Sequence, residues 1–287
     1  VTKAGSFRLS TTNLNGRKVP AEVKISITQL NAPGKLIRGR AWDEPDVFIL
    51  SKEEFYKAFP YSLYDDENNP EAWSVKNTLY EEIINSQKDS VIIPGSPEKW
   101  PEGEYMLTLE STDVFGKKVE VKKSFTVFNP GTKTTPAHEA FWYVVTKGAG
   151  EPGDTASLVV GTAEKSVKLL YEIENDGKVI SRKWLDLSQE KTKIDIPVFE
   201  EYRGNFFVNL VFVKANKSYE TLEKITVPFS NKELKITTET FRDKLVPGQE
   251  EEWRLKITGP EGEKVAAEML ASMYDASLDA FREHDWS

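Results

Sequence analysis

The sequence predicts a mainly β protein made of tandem immunoglobulin-like antiparallel β-sandwiches, the first with a short helical insertion and the last incomplete. Three observations lead to this fold class. Stretches such as 180–187, 192–199 and 205–213 combine β-branched and aromatic residues with period-two alternation, as half-buried strands require. Turn signals that contain glycine separate these stretches. Two segments also recur later in the chain, which indicates copies of one module.

Composition limits the classes of function to consider. The chain has 287 residues, enough for about two domains or three small ones. Its net charge of -8 disfavours nucleic acid as a partner, because phosphate binding requires a basic surface. The absence of cysteine excludes a disulfide framework, a thiol nucleophile and cysteine-based metal sites. The apolar run 206–213 is far too short to span a bilayer. Because Val1 is not followed by a leader, we expect either that a targeting segment was removed or that the chain is a piece of a longer protein.

Alternation within the strand patterns predicts which side chains form the core. In 253–257, Trp253, Leu255 and Ile257 are expected on one side of the strand and charged residues on the other. Leu210 is expected in the core for the same reason, and so are the aromatic residues inside strand patterns. These aromatic residues are Trp184, Phe206, Phe212 and Trp253.

Two internal repeats indicate how the modules are spaced. The segment 151–160 resembles 246–257, and their prolines lie 95 residues apart, close to the roughly 100 residues of one immunoglobulin-like sandwich. The segment around Gly16 matches the segment around Gly262 at glycine, lysine, valine, alanine and glutamate. We therefore expect the two glycines to occupy equivalent turns, each followed by a strand.

Three consecutive domains follow from these repeats. We predict a β-sandwich over 1–130, a second over 131–231, and the start of a third over 232–287. The predicted linkers are 129–138, which is rich in proline, threonine and lysine, and 229–234. The third copy is too short to close two sheets, so we expect a truncated domain.

The first domain is longer than the second, and the excess forms an insertion around 40–97. Ser51 and Glu54 have the spacing of a capping box and predict one short helix, which Pro60 ends. Residues 75–86 fit either helical or strand spacing, and the flanking turn signals favour a strand.

An apolar stretch at 269–273 predicts a strand after the Gly262 turn. Tyr274, Leu278 and Phe281 follow at i, i+4 and i+7, a spacing that predicts a turn of helix packed back on the sheet. Both features would belong to the incomplete third domain.

The sequence offers little catalytic chemistry. His138 and His284 lack a second ligand at the spacing of a metal site and are predicted to be surface residues. There is no Gly-x-Ser-x-Gly elbow, and Gly148 and Gly150 lack the lysine and the helix of a phosphate-binding loop. We therefore assign no catalytic, cofactor-binding or metal-binding residue, expect no cofactor, and predict that the chain is not an enzyme.

The carboxylates Asp65, Asp66 and Glu67 allow three interpretations. The first, which we favour, is a solvated loop anchored by Tyr64 and Trp73. The second is a calcium site. Its spacing does not match an EF-hand, but the sequence leaves calcium binding by this loop open. The third is a glycosidase pair, which needs two carboxyl groups facing each other across a sugar.

Aromatic residues outside the strand patterns are candidates for a carbohydrate-binding patch. Trp42, Trp73 and Trp100 lie near predicted loops of the first domain and could form such an exposed patch. Core packing accounts for most of the other aromatic residues.

Four stretches occur in a characteristic order and cover nearly the whole chain. They are GSFRLSTTNLNGRKVPAEVKISI, FPYSLYDDENNPEAW, EGEYMLTLESTDVFGKKVEVKKSFTVF and LVPGQEEEWRLKITGPEGEKVAAEMLASMYDASLDAF. The third contains a Gly-x-Tyr pattern at Gly103 and Tyr105, followed by Asp-x-x-Gly at Asp113 and Gly116. Together they resemble the alpha-2-macroglobulin family in its bacterial form, specifically Bacteroidetes-type members.

The resemblance implies macroglobulin-like β-sandwich domains and a role in protease inhibition by trapping, in which cleavage of an exposed bait segment triggers collapse around the protease. It implies two kinds of partner, the neighbouring domains of a longer chain and target proteases. It also implies a periplasmic or cell-envelope location, with no membrane-spanning segment in this chain. Many members also link to the protease through a Cys–Gln thioester, which a chain without cysteine cannot form. Because no long protease-accessible bait segment is recognisable, the expected role is that of a scaffold segment.

Two other functions are considered. The main alternative is an immunoglobulin-like binding or adhesion module of the cell envelope that recognises carbohydrate or protein. The third is a glycoside hydrolase fragment, which would place paired carboxylates in a cleft.

Overall fold

A computed structural model of the chain describes residues 7–40, 43–87, 91–92, 99–214, 216–240, 242, 244, 246, 248–265, 267–271, 274 and 276–282. The protein is mainly β with antiparallel sheets, as predicted. The strands are β1 (Phe7–Arg8), β2 (Glu22–Leu30), β3 (Val75–Asn85), β4 (Val91–Ile92), β5 (Gly103–Thr112), β6 (Lys118–Val127), β7 (Trp142–Lys147), β8 (Thr155–Gly161), β9 (Val167–Asn175), β10 (Lys178–Leu187), β11 (Lys191–Pro197), β12 (Phe206–Lys214), β13 (Lys217–Ile225), β14 (Lys235–Thr240) and β15 (Arg254–Thr258), and helix α1 is Lys52–Ala58. The chain divides into two compact units, Val1–Val227 and Pro228–Ser287. The division into three domains stays a prediction.

The first sheet of the first unit has the strand order β3-β2-β5-β6, and every neighbouring pair is antiparallel. Along β2 buried residues alternate with more exposed ones, so Val23, Ile25 and Ile27 share one apolar face. Tyr105 on β5 belongs to the same core and stacks on Trp100 at a ring-centroid distance of 5.5 Å. A smaller sheet, β1 with β4, pairs two residues of each strand.

Two further sheets, β11-β8-β7 and β10-β9-β12-β13, enclose the larger core. Buried side chains come from both sheets, as a β-sandwich requires. Leu210, Phe206 and Phe212 are buried here, which confirms their predicted core positions. Asp176 and Gly177 have φ of 49° and 69°, the conformation of a two-residue type I′ turn between β9 and β10.

The two four-stranded sheets share one topology. In each, a central strand pairs with the next strand of the chain on one side and with a later strand on the other. That later strand carries the final hairpin, β5 with β6 or β12 with β13. The accessory pairs also correspond, since β1 pairs with β4 and β8 pairs with β11. A repeated module accounts for this agreement.

The second unit contains the antiparallel pair of β14 and β15, in which Ile236 lies opposite Ile257. Leu255 and Ile257 are half-buried while Lys256 is exposed, so the predicted alternation is confirmed. Trp253 precedes β15 and exposes 37% of its surface, so its predicted core position is wrong. The physical reason is that the described part of this unit contains a two-stranded sheet, which supplies a single layer.

The predicted equivalence of Gly16 and Gly262 is confirmed. Their φ angles are 74° and 86°, a conformation that glycine adopts without a Cβ clash. In each turn the glycine N–H donates to the carbonyl three residues earlier, and that earlier residue donates to the carbonyl of the residue after glycine. The pairs are Gly16 to Asn13 (2.9 Å) and Asn13 to Arg17 (2.9 Å), and Gly262 to Gly259 (3.1 Å) and Gly259 to Glu263 (3.1 Å).

The other repeat also has matching hydrogen bonds. The Asp154 N–H donates to the Glu151 carbonyl at 2.9 Å, and the Gln249 N–H donates to the Val246 carbonyl at 3.0 Å. In return, the side chains of Asp154 and Gln249 accept the N–H groups of Glu151 and Val246. Pro247, one of the two repeated prolines, lies outside the described residues.

The insertion contains the predicted helix. At the start of α1, Ser51 Oγ accepts the Glu54 N–H at 3.3 Å, and the Glu54 carboxylate accepts the Ser51 N–H at 3.1 Å. The capping box is therefore confirmed. The strand interpretation of 75–86 is also confirmed, because these residues form β3.

The predicted core position of Trp184 is wrong, since this residue exposes 62% of its surface. A bulge between Val179 and Ser181 sets the register of β10. In that register Leu185 and Leu187 pack against the core, and Trp184 projects from the opposite face.

The expectations for the last residues are met in part. The described residues of the 269–273 stretch, 269–271, form no strand, which contradicts the prediction, and the others lie outside the described residues. A 3₁₀ helix at Ala276–Ala280 confirms the helical turn. Leu278 and Phe281 are exposed, so the predicted packing of this turn on a sheet is wrong. Neither side chain finds a second layer in the described part of the unit.

Candidate functional site

The residues selected from the sequence do not come together in one place. His138 is exposed, and His284 lies outside the described residues. The Gly148 carbonyl accepts the Thr226 N–H at 2.9 Å, and the Gly150 N–H donates to the Thr226 carbonyl at 3.1 Å, so this segment is tied into the backbone. Among the described residues, no three metal-ligating side chains are grouped to hold a cation.

Glu67 organises the acidic loop from within. Its carboxylate accepts hydrogen bonds from the Tyr56 hydroxyl at 2.6 Å and the Asp65 N–H at 2.8 Å, and pairs with Lys52 Nζ at 2.6 Å. Its carbonyl accepts the Trp73 indole N–H at 2.8 Å. Burial alone would raise the pKa of Glu67, but the hydrogen bonds from Lys52 and Tyr56 outweigh burial and hold it at about 2. Glu67 therefore stays ionised at neutral pH, which does not suit the general acid of a glycosidase.

The tryptophans considered for a carbohydrate patch are engaged in packing. Trp73 is half-buried and donates to Glu67, as described above. Trp100 is half-buried and stacks on Tyr105. Trp42 lies outside the described residues. The described pair does not form an exposed aromatic platform.

The insertion carries an apolar groove of 340 Å³, a volume at the lower end of the range of small-molecule sites. Aromatic rings form much of its wall, with Tyr64 4.5 Å from Phe48 and 5.1 Å from Phe55 between ring centroids. Ile49 at its edge is 93% exposed. Arg40 lines the groove and donates a hydrogen bond to the carbonyl of Tyr64.

Lys191 lies where the two predicted sandwiches of the first unit meet, and its side chain has no exposed surface. Its Nζ is 2.7 Å from Glu102 Oε1 and 2.7 Å from Thr132 Oγ1, and it also donates to the Thr134 carbonyl. Lys191 begins β11, Glu102 directly precedes β5, and the threonines belong to the predicted linker 129–138. One ammonium group thus joins both sandwiches and the chain between them. We call Glu102, Thr132, Thr134 and Lys191 the junction clamp.

Charge is balanced within the junction clamp. Glu102 also accepts the Thr132 hydroxyl at 2.7 Å and the Asn129 N–H. Burial alone would raise the pKa of Glu102, but the bond from Lys191 and these hydrogen bonds together lower it. A Cβ atom on Gly161 would lie 2.7 Å from Lys191 Cβ, so only glycine leaves room for the lysine at this position. The clamp is a buried ion pair, and removing one partner would leave an uncompensated charge.

Glu104, two residues after Glu102, has the opposite electrostatic environment. Its side chain is buried and accepts the Thr126 hydroxyl at 2.9 Å. Burial raises the pKa of Glu104 to about 7, and the nearby negative charge of Glu139 adds to the effect. The two carboxylates therefore give this region opposite responses to pH.

Comparison with known proteins identifies the family. Residues 142–280 match the family model described as the alpha-2-macroglobulin bait region domain. The chain belongs to the alpha-2-macroglobulin family. The alpha-2-macroglobulin match covers most of the second predicted sandwich and continues into the second unit. This differs from the sequence analysis, in which no bait segment was recognisable.

Solved structures give weaker similarities to this alpha-2-macroglobulin family chain. The native conformation of alpha-2-macroglobulin from E. coli is 14% identical, with a TM-score of 0.33, over 90% of this chain and 15% of that chain. The trypsin-activated E. coli protein is 11% identical, with a TM-score of 0.25, over 82% of this chain and 17% of that chain. A tetra-tandem repeat from the extending region of a large adhesion protein is 11% identical, with a TM-score of 0.27, over 77% and 45%. No curated protein matches the chain.

The junction clamp of this alpha-2-macroglobulin family chain was missed from the sequence. Lys191 stands two residues before Lys193 in a strand of alternating charge, and nothing in that pattern distinguishes the buried lysine from the exposed one. The threonine-rich stretch at 132–135 was the available signal. Its hydroxyl and carbonyl groups are suited to hold an ammonium group, but it was interpreted as a linker.

Proposed function

We propose that this chain is a non-catalytic scaffold segment of a protein that inhibits proteases by trapping them. The match of residues 142–280 to the bait region domain carries the proposal. The junction clamp supports it, because a cage that closes around a protease needs modules held at defined positions. Target proteases would be the partners of the whole protein, and the periplasm or cell envelope its location. No helix among the described residues is both long and apolar enough to cross a bilayer.

In this proposal the segment contributes shape and contains no reacting group. It has no cysteine, so any thioester would have to come from outside these 287 residues. Glu67, the most strongly stabilised carboxylate of the acidic loop, is engaged by Lys52 and Tyr56. The chain alone should therefore neither hydrolyse a substrate nor bind a protease covalently.

The test uses the full-length polypeptide that contains this segment, incubated with several endopeptidases. Trapping should suppress hydrolysis of a large protein substrate and spare a small chromogenic peptide, because only the peptide can diffuse into a closed cage. Mass spectrometry should place the triggering cleavage within 142–280. The 287-residue chain by itself is the control and should inhibit neither reaction. Undiminished hydrolysis of the protein substrate, or equal loss with both substrates, would contradict trapping.

The apolar groove of the insertion favours a second function, that of a binding module. A groove lined by Phe48, Phe55 and Tyr64 suits an apolar group better than a sugar, whose hydroxyls need several polar partners. An environment-sensitive apolar dye should bind the folded chain, and Ile49→Lys should weaken its binding, whereas Val114→Lys on the β5–β6 turn should not. Equal binding by both variants would remove the support for this function.

A further inference from the structure

We propose that the outer face of the sheet β10-β9-β12-β13 binds the same face of a second copy of this chain. The proposal does not depend on protease trapping. Trp184 on β10, Leu170 on β9 and Val211 on β12 are register partners and form one apolar row across three strands. Two exposed apolar residues, Val213 and Leu222, lie on the same side of β12 and β13. We call these five residues the outer apolar face.

The first unit contains an internal comparison for this face. The sheet β3-β2-β5-β6 has the same topology, yet its corresponding outer side is polar. Lys24 there pairs with Glu81, and Lys118 pairs with Glu110 at 2.6 Å. The fold itself therefore does not require an apolar outer side. Exposure of a tryptophan in such a row is typical of a surface that another protein covers.

The size of the face suits a dimer. Four strands about 4.8 Å apart, each about nine residues long, present a surface of roughly 20 by 30 Å. Two such surfaces together approach the roughly 1,200 Å² at the lower end of specific protein interfaces. Sheets that pack face to face in this way keep their strand directions nearly aligned.

The polar groups on this face are already paired and do not oppose burial. Glu172 lies beside the apolar row and is itself buried. Its carboxylate accepts Arg182 Nε at 2.6 Å and Asn209 Nδ2 at 3.2 Å. A partner that covers this part of the sheet would therefore not strand an unpaired carboxylate.

The distribution of charge selects a second copy as the partner. Lys168 and Glu174 lie on the outer side near opposite ends of β9, where their register partners are Asp186 and Val179. A two-fold axis across the strands superposes β9 on its own copy in the antiparallel direction. Lys168 of each chain then lies over Glu174 of the other, and opposite charges meet at both ends.

Under the same two-fold axis the aromatic row also finds a matching group. Trp184 and Arg182 are two residues apart on β10, so Trp184 of one chain meets Arg182 of the other. A guanidinium over an indole ring is a favourable cation–π pair. The face is therefore complementary to itself, as an isologous interface requires.

Sedimentation velocity of the 287-residue chain between about 1 and about 200 µM tests the proposal, because the dimer fraction must rise with concentration. Trp184→Glu should raise the dimer dissociation constant at least about thirtyfold, as loss of a central aromatic anchor does. Val114→Glu, at an equally exposed apolar position on the β5–β6 turn, is the matched control and should leave dimerisation unchanged. Thermal melts of both variants confirm that they fold.

A charge exchange tests the two-fold geometry. Lys168→Glu and Glu174→Lys should each weaken the dimer, and the double variant should restore it, because the restored pairs form between chains. Residues 168 and 174 are too far apart on one strand for the rescue to be intramolecular. A chain that remains monomeric over the whole concentration range leaves the face to some other occupant and overturns the proposal. A dimer that resists Trp184→Glu, or a double variant as weak as the single ones, also overturns it.

Discussion

Lys191 is a lysine without exposed side-chain surface, and its ammonium group is satisfied by a carboxylate, a hydroxyl and a carbonyl. Burying a charge of this kind costs several kcal/mol unless its partners are in place. The partners come from two sandwiches and the chain between them, so separating the sandwiches would expose or strand the charge. A single residue therefore couples the position of one module to that of the next.

Breaking the clamp from one side should be strongly destabilising. Glu102→Gln leaves Lys191 charged and buried, and should lower the free energy of unfolding by about 3–5 kcal/mol. Urea denaturation measures this change. Lys193→Met, which removes the exposed pair with Asp195 on the same strand, is the control and should cost about 0–1 kcal/mol. Similar small losses for both variants would show that the clamp contributes little.

Glu104 should make stability fall as pH rises. Its folded pKa of about 7 exceeds the usual 4.5, so the folded state holds the proton more tightly than the unfolded state. The stabilisation is complete below pH 4.5 and is lost as pH rises through about 7. Glu104→Gln should remove this decline and raise the melting temperature at pH 8. Melting temperatures at several pH values measure the effect, and an unchanged pH slope in the variant would contradict it.

Glu102 contributes the opposite dependence. Its folded pKa is lowered, so its stabilisation is present above its unfolded pKa and disappears as pH falls through the folded value. Acid should therefore weaken the junction clamp, whereas alkali should act through Glu104.

At the scale of elements, the repeated glycine turn is the feature that links the two ends of the chain. Gly16 and Gly262 have the same sign of φ and the same pair of backbone hydrogen bonds. Alanine in this conformation brings Cβ close to the backbone and costs about 1–2 kcal/mol. Gly16→Ala should therefore lower stability by about this amount in chemical denaturation. Gly34→Ala, at a glycine with open space around it, should change stability by less than about 0.5 kcal/mol, and equal losses would contradict the turn assignment.

Core and surface positions on the same four-stranded sheet should respond differently. Leu210 is fully buried, so Leu210→Ala should cost about 2–5 kcal/mol through lost transfer energy and a cavity. Trp184→Ala should change the stability of the monomer by less than about 1 kcal/mol, because the ring lies on the outer side. Thermal melts at low protein concentration measure both. A larger loss for Trp184 than for Leu210 would reverse the facing of this sheet.

Most elements were predictable because their signals are local. Alternation predicted the strands around Leu210, and the Ser51 capping box predicted the position of α1. The facing of Trp184 was not predictable, because one bulged residue in β10 exchanges the two sides of the strand and leaves no mark in its composition. The junction clamp was not predictable either. Glu102 and Lys191 are 89 residues apart, and neither has a neighbour in sequence that identifies the other.

At the scale of the whole molecule, the first unit consists of repeated β-modules with a fixed connection, and the second unit repeats the opening turns of a module. The repeats made this organisation visible in the sequence, since turn residues and strand starts recur at module spacing. How the modules are joined depends on side chains that meet only after folding. A chain of this kind supplies geometry to a larger assembly, which is consistent with the scaffold role proposed here.

The most direct test of this account is the distance between the two sandwiches of the first unit. Because the chain has no cysteine, Lys117→Cys and Lys178→Cys place one spin label on each sandwich without interfering thiols. Double electron–electron resonance should give one narrow distance distribution in the otherwise unsubstituted chain and a broad one when Lys191→Met is added. A distribution that is already broad with the clamp intact would contradict the fixed scaffold.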